Sequence, residues 1–185
     1  MQPAKTETSL ISQKITVGPL PPASEFSAYE KTCKGAAERI MFSKVEDYLA
    51  YPATVEPNGE GGFIVTLRGW EGAMTEGKDY DDAMRMAHEL VLDCAEFVIA
   101  ERTPIPHGIK AEPGDVLIRM TYDEALKMML RNAMFEDRYR PTDLAAALKV
   151  GRQKITSALN LRKTTSLNFL AQCCQAISRP LKLGL

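Results

Sequence analysis

Ala50-Tyr51-Pro52-Ala53-Thr54-Val55-Glu56 sets apolar or small side chains at alternate positions: Tyr51, Ala53 and Val55. Pro57-Asn58-Gly59-Glu60-Gly61-Gly62 then breaks the run, and Phe63-Ile64-Val65-Thr66-Leu67 resumes it in residues that favour strands. An alternating run, a glycine-rich turn and a β-branched run predict a hairpin with a long loop. Gly69-Trp70-Glu71-Gly72 is a second break, and Ala73-Met74-Thr75 is short enough for a third, edge strand. The period then changes. Tyr80, Ala83, Met84, Ala87, Val91, Cys94 and Val98 follow the spacing of one helix face, with Asp79 as the cap, Asp82 in the first turn and the end near Arg102. The unit so far is β-β-β-α.

Working outward towards the C-terminus, Thr103 to Gly114 is rich in proline and glycine and reads as exposed, with a linker at 108–114. Asp115 to Met120 predicts a short strand. It could complete the first sheet, but lies beyond the linker and is assigned to the second unit. Tyr122, Ala125, Leu126, Met129 and Ala133 share one helix face. Pro141 suits a first helical position, opening a short helix through Leu148. Lys149-Val150-Gly151 is a turn, Arg152 to Leu159 a second short helix, and Thr165 to Ile177 a last one.

Two short helices around a tight turn predict a helix-turn-helix locked by Leu144, Ala145, Leu148, Val150, Ile155 and Leu159. The outer face of its second helix offers Arg152, Gln153, Lys154, Thr156, Ser157 and Asn160, side chains suited to base edges in the major groove. Arg162 and Lys163 follow in a loop and suit phosphates. The bland alternative is a helical hairpin with a polar face. Lys149 stands where such turns commonly carry glycine, so it either strains the turn or lengthens the first helix.

The 185-residue chain is 25% charged and 45% hydrophobic, as an ordinary globular protein is. Its net charge of −1 hides a division. Glu46 to Glu101 holds 13 acidic and 3 basic residues, whereas Arg138 to Thr165 holds 7 basic and 1 acidic. Either both are merely solvated faces, or one half meets a cationic partner and the other an anionic one. No apolar run is long enough to span a membrane, and Met1 to Lys14 lacks the apolar core of a signal peptide, so a cytoplasmic protein is expected. Cys33, Cys94, Cys173 and Cys174 lack metal-site or redox spacing, and His88 and His107 are the only histidines. No metal, cofactor or catalytic residue is indicated. Glu56, Glu60, Glu71, Glu76, Asp79, Asp81 and Asp82 would be the carboxylates of a metal-dependent nuclease, but they fall mostly in turns and at a helix start, where solvated acids are ordinary. Residues 1–48 read as a partly disordered extension in which Ser24 to Ile40 could form a short helix, and Met41 is a possible internal start.

The stretch Tyr51-Pro52-Ala53-Thr54-Val55, Gly61-Gly62-Phe63-Ile64-Val65, Gly72-Ala73-Met74-Thr75-Glu76-Gly77, Asp82-Ala83-Met84 and Pro104-Ile105-Pro106 resembles the HicB antitoxins of bacterial type II toxin–antitoxin pairs. The later helices resemble the helix-turn-helix variant of that family. The resemblance implies an α+β protein: a truncated, catalytically inert RNase H-like domain over 49–107, then a DNA-binding and dimerising domain over 115–185. It implies two partners besides a second copy or a tetramer of the chain: a HicA-type mRNA-cleaving toxin and the operator DNA of its own operon. With the acidic balance of the first unit, it points to a toxin-facing surface of Gly61, Gly62, Phe63, Ala73, Met74 and Thr75, flanked by Glu71 and Glu76. Trp70 would be an aromatic anchor there or a core residue. Dimerisation is expected through 115–120 and Leu167, Leu170 and Ile177. A rival reading is a phage-type repressor whose acidic domain oligomerises or senses a ligand.

Overall fold

A computed structural model describes residues 44–177. The expected helix at 24–40 and the apolar tail at 181–185 lie outside the described residues. A 3-10 turn (Val45–Tyr48) leads into β1 (Ala50–Pro57), β2 (Phe63–Leu67), β3 (Met74–Gly77) and helix α1 (Tyr80–Ala100). β4 (Val116–Arg119), α2 (Tyr122–Glu136), α3 (Pro141–Ala147), α4 (Arg152–Ala158) and α5 (Leu167–Ala176) follow. The protein is α+β, with one antiparallel sheet of order β3-β2-β1-β4 and five helices among the described residues.

The alternation of the opening stretch sets the two faces of the sheet. Ala53 pairs with Leu67, Val55 with Val65 and Tyr51 with Ile118. These side chains point to the helices, and Tyr51, Ala53, Val65, Leu67 and Ile118 are buried. The opposite face carries Ile64, Met74 and Leu117, which are 36%, 61% and 41% exposed. α1 lies against β2 and β3, and α2 against the 3-10 turn.

Gly77 permits the tight passage from β3 into α1. A Cβ there would lie 2.2 Å from the Ala83 amide nitrogen and 2.5 Å from its Cα. The Ala-x-Thr-x-Gly pattern therefore ends in glycine because strand and helix backbones touch. Asp79 then caps α1, accepting the Asp82 N–H at 2.8 Å.

Two expectations are corrected. The strand at 115–120 belongs to the first sheet: β4 pairs antiparallel with β1, Ala50 opposite Arg119 and Pro52 opposite Leu117. The preceding segment is also not exposed throughout. Ile105 is 1% exposed, and Gly108 donates its N–H to Asp47 O at 2.8 Å. Arg68 clips the end of this segment, through Nε to Asp115 at 2.7 Å and Nη1 to Glu112 at 3.1 Å. A proline- and glycine-rich composition marks the absence of helix, not the absence of docking.

Helices α1, α2 and α3 end alike. Arg102, Arg138 and Lys149 adopt left-handed backbone conformations, with φ of 56°, 54° and 53°. The following amides, of Thr103, Tyr139 and Val150, donate back to Val98, Met134 and Ala145 at 2.9, 2.8 and 3.0 Å. This is the Schellman closure, usually built on glycine. Lys149 thus ends α3 at Ala147 and does not lengthen it.

Candidate functional site

The basic half gathers around α3 and α4. Leu144, Ala145, Ile155 and Leu159 are buried between the two helices, so the polar side chains of α4 are turned outward. Arg152, Gln153, Lys154, Thr156 and Ser157 are exposed, and Asn160 is half-buried. Gln153, Lys154, Thr156, Ser157, Asn160 and Lys163 line one side of an open groove of about 810 Å3, and Ser166 and Phe169 at the start of α5 line the other. Lys154 lies over the Phe169 ring at 4.5 Å, an arrangement that attracts the cation to the ring face. The Asn160 carboxamide accepts the Arg162 N–H at 3.0 Å and shapes the turn after α4.

Two basic residues of α2, Lys127 and Arg131, hold this unit in place. The spacing alone gave no role for them. Arg131 donates through Nη2 to Leu159 O at 3.1 Å, at the C-terminal end of α4. Burial pushes its guanidinium below the ordinary value. Lys127 is fully buried, pairs with Asp123 at 2.7 Å and donates to the carbonyl of Lys163. Their signal in the sequence is the pair of cations four positions apart on a helix whose other central residues are mostly apolar.

Arg162 is drawn away from its expected role. Its guanidinium pairs with Glu89 and Asp93, and with Glu96 at 3.4 Å, all on α1. Lys163, next to it, remains exposed. The arginine expected to hold a phosphate thus joins the basic helices to the acidic face of α1.

The acidic half presents β3 as an outer strand, paired on one edge only among the described residues. Met74, Glu71, Glu76 and Gly61 are exposed. Thr75 and Phe63 are half-buried, Phe63 meeting Tyr80 edge-on at 5.8 Å. Gly62 and Ala73 are buried. A Cβ at Gly62 would lie 2.4 Å from the Gly77 carbonyl, so its role is close backbone packing. Trp70 is 8% exposed, with its ring 6.0 Å from that of Tyr51. It is a core residue and not an exposed anchor.

Dimer residues need a similar correction. Leu170 and Ile177 are 0% and 5% exposed, so the chain's own core already consumes them. Leu167 alone of the three is exposed, at 50%. Among the described residues no group of three or more His, Cys, Asp or Glu side chains is placed to hold a metal ion. The acidic residues near α1 have local tasks instead: Asp79 caps, and Asp82 pairs with Arg85 at 2.6 Å. No helix among the described residues is long and apolar enough to cross a membrane.

Residues 50–129 match a family model described as a HicB-like antitoxin of bacterial toxin–antitoxin systems. The match starts at β1 and runs through the four-stranded sheet and α1 into α2. Over this stretch the chain resembles the HicB-like antitoxins. Antitoxin HicB 1 of Photorhabdus laumondii is 27% identical over 139 residues, spanning 74% of this chain and 87% of that protein. Antitoxin HicB of Escherichia coli K12 is 27% identical over 135 residues, 73% of this chain and 98% of its own length. These likenesses run beyond the family-model match. Over these lengths the chain is similar to proteins named as antitoxins.

Proposed function

We propose that this chain is a HicB antitoxin that neutralises a HicA-type mRNA-cleaving toxin with its sheet and represses its own operon with α3 and α4 acting as a helix-turn-helix in the cytoplasm. The observation that carries the second half is the outward presentation of Arg152, Gln153, Lys154, Thr156 and Ser157 while Ile155 and Ala158 are buried. That division leaves the N-terminal part of α4 free for base edges, as the motif requires. The toxin surface is the free edge of β3 with the open sheet face beside it, where Met74 and Ile64 stand among Glu56, Glu71 and Glu76. An apolar centre ringed by acids suits a basic ribonuclease. The sheet with α1 then serves as a truncated RNase H-like binding platform without nuclease chemistry.

Operator recognition needs two half-sites, so the active species is a homodimer or tetramer. With Leu170 and Ile177 already buried, its contact falls to Leu167 and the outer edge of β4.

Two experiments test this reading. Co-expression with a small basic HicA-type toxin should give a stable complex, and Glu71→Lys/Glu76→Lys should slow its association. Titration of operator and scrambled DNA with Gln153→Ala should show a loss of about 1–3 kcal/mol confined to the operator. Lys163→Ala should weaken both DNAs alike and lower the salt slope by about one unit per contact. Equal loss on both DNAs for Gln153→Ala would remove base reading by α4.

A further inference from the structure

A second concave surface, sharing no lining residue with the α4 groove, lies beside the first residue of α3. It is a cleft of about 600 Å3 whose lining combines Arg102, Arg131, Arg138 and Arg140 with apolar side chains that include Met134 and Phe135. Two of the four guanidinium groups have partners. Arg140 pairs with Asp143 at 3.0 Å, and Arg131 donates to Leu159 O. Arg102 and Arg138 are exposed, and none of the ion pairs among the described residues includes either.

The backbone at both residues is informative. Arg102 and Arg138 occupy the left-handed closing positions of α1 and α2, where glycine carries no steric cost. A cation there gains something from the helix carbonyls. That gain explains a positive charge at each helix end, but not why two different helices end at one cleft with free guanidinium groups. Planar, always-charged forks at the wall of a cleft are suited to phosphate oxygens.

We infer that the Arg102–Arg138 cleft is a phosphate site that takes the DNA backbone flanking the bases read by α4. This rests on the repressor reading above and extends it. In a helix-turn-helix the first helix crosses the backbone, and the cleft sits where α3 begins. The site gives the second half of the protein a phosphate contact to replace the one forgone by Arg162, which α1 holds.

The left-handed backbone supplies a test that separates binding from folding. Arg102→Gly/Arg138→Gly removes both cations while placing the residue best suited to that conformation. The full-length variant should melt at or above the wild-type temperature. Its affinity for a random-sequence DNA duplex should fall about tenfold or more, and the slope of log affinity against log salt should drop by about 1–2. Thermal protection by pyrophosphate should shrink in parallel. Unchanged duplex affinity, salt slope and pyrophosphate protection would overturn the site. Loss of pyrophosphate protection with duplex binding intact would assign the cleft to a free phosphate compound and overturn the DNA backbone as its occupant. Lys163→Ala distinguishes the two readings. If it weakens duplex binding while the glycine variant does not, the cleft fails and repression by α4 stands. If wild-type protein binds no duplex yet retains arginine-dependent pyrophosphate protection, the repressor reading fails, and with it the DNA backbone as occupant.

Discussion

Asn132 closes on the backbone of Ile105 from both sides. Its Oδ1 accepts the Ile105 N–H at 2.8 Å, and its Nδ2 donates to the Ile105 carbonyl at 2.8 Å. The same Nδ2 donates to the Tyr48 hydroxyl at 2.7 Å. Asn132 is 3% exposed and Ile105 1%, so water cannot replace these bonds. Asn132→Ala should cost about 2–4 kcal/mol in chemical denaturation, because it orphans a buried N–H and carbonyl together. A cost under about 1 kcal/mol would mean that this clasp does not hold the segment after α1 to α2.

Gly77 and Gly108 tolerate no side chain. A Cβ at Gly108 would stand 2.1 Å from Ala50 O, as close as the clash at Gly77. Either alanine variant should lose roughly 3 kcal/mol or more, or fail to accumulate as folded protein. Gly61→Ala is the comparison: nothing lies within 4 Å and only its φ of 94° is at issue, so about 1 kcal/mol is expected. Equal losses at all three would place the cost in conformation and not in close approach.

Lys149→Gly should stabilise the protein by about 0.5–1.5 kcal/mol. It relieves a left-handed residue at the end of α3 without removing the Val150–Ala145 hydrogen bond. Lys149→Ala should bring no comparable gain. A thermal melt of both variants decides it.

His88 on α1 and Glu124 on α2 meet at 3.0 Å. The Glu124 hydrogen bond raises His88 above 6.5 despite its burial. Burial acts to raise Glu124, but hydrogen bonds from His88 and Thr121 bring it below 4.5. The raised histidine gives stability that is complete below pH 6.5 and is lost as pH rises through its folded value. The lowered carboxyl gives stability present above pH 4.5 and lost as pH falls through its folded value. The pair therefore contributes most between these two values. The stability gap between wild type and His88→Ala should be widest near about pH 5.5 and narrow by about pH 8.5. A gap independent of pH would mean that His88 acts by packing alone.

Glu89, Asp93 and Glu96 occupy the guanidinium of Arg162. Exposed pairs of this kind contribute about 0–1 kcal/mol each to folding. Glu89→Gln/Asp93→Asn/Glu96→Gln should thus change stability little while raising DNA affinity and steepening its salt dependence. Unchanged DNA binding in this triple variant would show that Arg162 is structural whether or not it is held.

The sequence alone determined which stretches are strand and which helix. Alternation at Tyr51, Ala53 and Val55 and the helical spacing from Tyr80 to Val98 depend only on near neighbours, so period and turn chemistry sufficed. It also determined which side of α4 is polar, because burial of Ile155 and Ala158 follows from that same period. Tertiary structure decided the rest. β4 pairs with β1 across more than sixty positions, and strand pairing over such a distance leaves no mark in either strand's own pattern. Trp70 sits in a turn, where no period says whether a side chain points inward. The loop position of Arg162 suits a phosphate by chemistry, but a guanidinium binds the carboxylates that reach it first. Those lie 66 to 73 positions earlier, on a helix brought alongside only by the packing of α1 and α2.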